Sequence, residues 1–167
     1  MENIDNGSQN FRHVQVIKSM DLKKVGVFGH SLGGGAALHS TNLDQVKAAI
    51  ILDGCNYEED YPQTDKPLLF LTVEGYRNIN EGYVKKSIER REEIYSDVNH
   101  PAFTDFTLLQ YHPLIRIFDS MGLAVKSRLK KFCGPKADLE GFYRLYNKQI
   151  VSFFTEHLKQ QEDSIRY

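Results

Sequence analysis

A chain of 167 residues is the size of one domain with a core of its own. With 41% hydrophobic and 26% charged residues and a formal net charge of -1, it has the composition of an ordinary globular protein, which argues against a dedicated nucleic-acid binder. No apolar run is long enough for a membrane span, no signal-peptide pattern opens the chain, and Cys55 and Cys133 lack metal-ligand spacing, so free thiols in a reducing, cytoplasmic setting are expected.

The first ten residues are polar and turn-like, and Phe11 to Met20 reads as a short helix that breaks at Asp21. Val25 to Phe28 is a β-branched run apolar on both faces, the pattern of a buried parallel strand. It leads into Gly29-His30-Ser31-Leu32-Gly33 and a small-residue helix running to about Ser40. Val46 to Gly54 reads as a second buried strand ending in Asp53. After a polar loop from Asn56 to Lys66, Pro67 to Gly75 reads as a third strand, with Glu74 at its end. Asn80 to Arg91 reads as a charged helix and Glu93 to Val98 as a short fourth strand, with His100 in the loop just beyond. A mixed segment around Leu114, Ile117 and Phe118 precedes the last element, a helix from about Asp138 to Lys159 with Phe142, Tyr146 and Phe153 on a core-packing face. Strands alternating with helices predict one α/β domain, a predominantly parallel sheet flanked by helices.

The glycine–histidine–serine turn is the most informative stretch. A strand running straight into G-x-S-x-G and then a helix is the setting of a nucleophile elbow, in which the serine sits on a sharp, strained turn. Gly29 and Gly33, two residues to either side of Ser31, are expected to lack a Cβ because strand and helix backbones meet there. The backbone N–H of Leu32, at the helix N-terminus, points where an oxyanion would form. A phosphate loop fits less well, because no Lys-Ser/Thr pair comes after the glycines.

A serine hydroxyl attacks carbonyl carbon only when an imidazole takes its proton, and the imidazole needs an acid to hold its tautomer. His30 lies within the elbow and projects away from Ser31; His13, His39 and His157 fall in helical patterns; His112 stands beside Pro113 with no strand end next to it. His100 alone combines a loop after a strand with the chain order serine, acid, histidine of α/β-hydrolases, and is the candidate base. For the acid, the residues leave two candidates: Asp53 at the end of the second strand and Glu74 at the end of the third.

The patterns G-H-S-L-G-G, A-I-I-L-D-G, P-L-L-F-L-T-V-E and N-H-P-A-F-T-D-F resemble those of the platelet-activating factor acetylhydrolases, serine esterases that act on short sn-2 acyl chains of phospholipids. The resemblance covers about residues 22 to 160, fading after Tyr111. It implies an α/β-hydrolase fold with Ser31 as nucleophile, His100 as base, Asp53 rather than Glu74 as acid, and no metal or organic cofactor. The family carries a long segment before its elbow, whereas 24 residues precede Val25 here. The expectation is therefore a partial domain lacking the N-terminal strands, with an exposed elbow strand through which chains self-associate. A carboxylesterase, thioesterase or peptidase of the same fold is the nearest alternative for the activity, and an inactive truncated remnant the next.

Overall fold

In a computed structural model the described residues are 20–54, 64–76, 89–109, 111–134 and 138–159. They contain strands β1 (Val25–His30), β2 (Val46–Leu52), β3 (Leu68–Val73) and β4 (Arg90–Tyr95), which form one sheet in the order β1-β2-β3-β4. Every pairing is parallel; Phe28 faces Ile50, His30 faces Leu52, and Leu52 faces Leu71. Helix α1 (Leu32–His39) comes directly after β1, and α2 (Phe106–Leu109), α3 (Pro113–Ser120), α4 (Val125–Cys133) and α5 (Leu139–Leu158) come after β4.

The period-two alternation of strand side chains divides the core into two faces. Ala49, Ile51, Leu68 and Phe70 pack with Leu38 of α1 on one face. Ala48, Ile50, Leu52, Leu69, Leu71 and Val73 pack on the other with Phe142, Tyr146 and Phe153 of α5. Every residue of β3 is buried, and every residue of β2 but Lys47, so both strands read in the sequence as near-continuous apolar runs. The long helix starts where the sequence ends its loop: Asp138 caps it, its Oδ1 accepting the Gly141 N–H at 3.1 Å, and Glu140 sits in the first turn.

The outer strands are built differently. The fourth strand begins at Arg90, not at Glu93 as the sequence suggests, and Arg90 and Arg91, expected to end a helix, belong to it. The rest of that expected helix, Asn80 to Ile88 with the residue after it excepted, lies outside the described residues, as does nearly all of the helix expected from Phe11 to Met20. A strand that starts Arg-Arg-Glu-Glu carries the charges that blunt a sheet edge, and the Arg91 guanidinium grips Glu156 of α5 with bonds of 2.8 and 2.6 Å. At the opposite edge of the described sheet, Phe28 of β1 is 59% exposed and meets Phe154 edge-on at 6.3 Å.

The segment after His100, which reads from sequence only as mixed, is helical. His112 caps α3, its Nδ1 accepting the Leu114 N–H at 3.3 Å, with Pro113 in the first turn, where its missing N–H costs nothing. Positive φ at Gly122 (79°) and Ala124 (49°) turns the chain from α3 into α4.

Candidate active site

The carboxyl ends of β1 and β2 lie side by side, and the turns that leave them build the site. Ser31 stands between β1 and α1 with φ 56° and ψ −122°, a backbone state that costs a non-glycine residue on the order of 1–3 kcal/mol. Backbone bonds hold it there. Its N–H donates to Leu52 O at 3.0 Å, and its carbonyl accepts the Gly34 and Gly35 N–H groups at 2.9 and 3.3 Å. The close approach that needs glycine is at Gly29, where a Cβ would lie 2.1 Å from the Gly33 carbonyl oxygen. Gly34 and Gly54 press backbone on backbone in the same way. Gly33 corrects the sequence expectation: a Cβ there meets nothing within 4 Å, because Gly33 contributes the carbonyl that crowds Gly29 and has open space on its own side.

Asp53, the residue after β2, also takes positive φ, 44°, and its side chain is fully buried. An unpaired carboxylate in that position would carry a heavy desolvation cost. Two donors supply the compensation: the Val73 N–H reaches Oδ1 at 2.9 Å, and His100 Nδ1 lies 2.5 Å from Oδ2. With its Nδ1 proton on this carboxylate, the His100 ring has Nε2 as its basic nitrogen. Glu74, the other acid left open by the residues, is exposed in the 3₁₀ turn Glu74–Tyr76 past β3. The carboxylate that meets His100 is that of Asp53.

His100 opens a 3₁₀ turn, His100–Phe103, whose Ala102 and Phe103 are buried in the α5-side core. The residue before it, Asn99, ties the turn to the end of α4: its N–H donates to Cys133 O at 2.7 Å and its Nδ2 to Phe132 O at 3.1 Å. Cys133 itself is a buried thiol whose pKa burial raises; Cys55 lies outside the described residues. Leu32 is the first residue of α1, so its backbone N–H stands at the amino end of that helix, and the residue is exposed.

His30, expected to project away from Ser31 and to take no part, belongs to the site. Its ring lies on His100, centroids 4.4 Å apart, and its Nε2–H donates to the His100 carbonyl at 3.1 Å. Burial lowers the His30 pKa, and the neighbouring His100 lowers it further. The signal available in the sequence is its strand parity, which puts Gly26, Phe28 and His30 on the α5 side. His39, His112 and His157 lie on α1, before α3 and on α5, and His13 is outside the described residues. A groove of about 640 Å³ beside Leu22, Val25, Gly26 and Leu158 lies at the other end of β1, away from this cluster.

A parallel sheet with a strained serine elbow after one strand and an Asp–His pair after its neighbour defines an α/β-hydrolase-type fold. The family model described as platelet-activating factor acetylhydrolase, isoform II, matches residues 1–166, and the chain belongs to that family. It is 29% identical over 158 residues to a platelet-activating factor acetylhydrolase of Cavia porcellus, an alignment covering 89% of this chain and 33% of that protein. The chain thus spans about a third of the length of this relative. Among solved structures it is similar to an acylaminoacyl peptidase in complex with Z-Gly-Gly-Phe-chloromethyl ketone, with TM-score 0.46, 16% identity, and coverage of 96% of this chain and 28% of that one. The acylaminoacyl peptidase of Pyrococcus horikoshii in an orthorhombic crystal form gives TM-score 0.45 at the same identity and coverage.

Proposed function

We propose that this chain carries the catalytic residues of a serine ester hydrolase that cleaves short acyl esters, with phospholipids bearing a short sn-2 acyl chain as the substrate class. The observation that supports this most is the bond between buried Asp53 and half-buried His100, together with the strained Ser31 turn. In this reading His100 Nε2 takes the Ser31 Oγ proton as the hydroxyl attacks the ester carbonyl. Asp53 keeps the Nδ1 proton in place and stabilises the imidazolium. The Leu32 N–H, at the positive end of α1, donates to the tetrahedral oxyanion. The imidazolium then protonates the leaving alkoxide, giving an acyl-serine, and His100 activates water to release the acid and restore Ser31. Every step uses this chain's own side chains, its backbone and water.

Fluorophosphonate labelling tests the assignment. Ser31 is expected to be the modified residue, because only an activated serine attacks phosphorus at neutral pH, and Ser31→Ala abolishes labelling while the chain stays folded. Labelling that persists in Ser31→Ala would refute the elbow. Hydrolysis of short-acyl against long-acyl phospholipid analogues then separates the proposed substrate class from a general carboxylesterase, thioesterase or peptidase.

The edge position of β1 in the described sheet supports a proposal about association. Unpaired strand edges template pairing, and exposed Phe28 adds apolar surface. The 167-residue chain is expected to self-associate through β1. A longer chain with further strands beyond β1 should be less associated. Size-exclusion chromatography of both chains is the measurement; a monomeric short chain would sink this expectation.

A further inference from the structure

The Asp53 bond holds His100 at Nδ1. For a catalytic base, misplacement by about 1 Å can cost on the order of 100-fold in rate. A further restraint comes from the neighbouring strand. His30 is the last residue of β1, on the sheet face that looks toward α5 and the His100 turn. Its ring contacts that of His100, 4.4 Å away at an interplanar angle of 36°, and that of Phe103, 6.2 Å away at 29°. Its Nε2–H grips the His100 carbonyl at 3.1 Å.

We propose that His30 is a positioning residue for His100, fixing the backbone of the base by a hydrogen bond and limiting the swing of its ring by a tilted ring contact. The inference rests on the reading of Ser31, Asp53 and His100 as a triad. It also accounts for the residue type. An asparagine would lack the ring face, and a phenylalanine the donor. Because His30 is bonded in the chain to Ser31, the one side chain sets the backbone of the base in register with that of the nucleophile. The charged and titratable groups facing His30 are His100, from the 3₁₀ turn, and Asp53, from the end of β2. Burial and His100 both favour the neutral ring. A neutral neighbour is what the base needs, since a second cation at this distance would oppose its imidazolium.

Four forms of the 167-residue chain decide the matter: the parent, His30→Ala, His30→Gln and His30→Phe. Two readouts are taken, the pH dependence of fluorophosphonate labelling and the NMR signals of the His100 ring, including its Nδ1–H proton. His30→Ala is expected to slow labelling by about 10- to 100-fold, shift the apparent pKa of the profile and broaden the Nδ1–H signal through faster exchange. His30→Gln, which keeps a donor, should recover most of the labelling rate, and His30→Phe, which keeps the packing, should recover less. The Phe variant carries the test if the Ala variant fails to fold. An unchanged rate, profile and Nδ1–H signal in folded Ala or Phe variants would overturn the proposal. If the parent is not labelled at all, the triad reading fails, and the NMR signals still report whether His30 holds His100.

Discussion

Asp53→Asn is expected to slow acylation of Ser31 by on the order of 10³ to 10⁴-fold with little change in folding. The backbone accommodates the substitution, because asparagine tolerates the positive φ of 44° as well as aspartate does. The Val73 N–H keeps an oxygen acceptor in Oδ1. What changes is the other end. An amide nitrogen facing His100 Nδ1 donates where the carboxylate accepted, so the imidazole takes the opposite tautomer and loses its basic nitrogen toward Ser31. His100→Ala should cost a comparable factor, and the double variant little more than either, as expected of residues that act as the proposed unit. Glu74→Gln, on an exposed turn, should stay within a few-fold of the parent. Labelling kinetics across the four variants give the ranking; a severe Glu74→Gln with a mild Asp53→Asn would move the acid to the third strand.

The second large effect concerns stability and separates two glycines of one motif. Gly29→Ala is expected to destabilise the fold by about 3 kcal/mol, at the upper end for overpacking because the obstacle is backbone. The new Cβ would lie 2.1 Å from Gly33 O and 2.3 Å from Gly33 C, so the first turn of α1 must move off the strand. For a chain of this size the cost corresponds to a melting temperature lower by roughly 6–12 °C. Gly33→Ala meets nothing within 4 Å in a helical turn, where alanine is favoured over glycine by up to about 1 kcal/mol. Thermal unfolding of the two variants should therefore move in opposite directions, and a Gly29→Ala chain that melts with the parent would show that the elbow is looser than its geometry implies.

These contrasts mark where the sequence is legible. The central strands are readable because burial on both faces leaves no polar position to confuse the pattern, and α5 because a 20-residue amphipathic period is long. The strand–elbow–helix at Ser31 is readable as a unit, since its residue types answer local steric needs. Strand β4 is not, because its place is set by a parallel ladder with β3, distant in sequence, and charges at a sheet edge look like a solvated helix. Helix α4, with Lys126, Arg128, Lys130 and Lys131 along it, offers too few apolar positions to announce itself. At the site, the residues alone leave Asp53 and Glu74 level. What separates them in space is the left-handed turn at Asp53, which aims its carboxylate at Val73 and His100, and no local pattern encodes that. The place of His30 is hidden for a related reason: its partner is 70 residues further along the chain.

The wholly parallel sheet has a consequence in time. No neighbouring pair among β1 to β4 joins through a hairpin, so each ladder must wait for a crossover of a dozen or more residues to close. Such topologies fold slowly compared with those rich in local contacts. Synthesised from its amino end, the chain emits the serine turn first, Asp53 next, and His100 much later. The backbone anchor of the histidine turn, the Cys133 carbonyl, emerges later still. In the proposed triad, a nascent chain would therefore hold Ser31 without a seated base until α4 has been made and docked. Reactivity at Ser31 would then be withheld until folding is nearly complete, and for that same interval the apolar faces of β2 and β3 stand exposed to other chains.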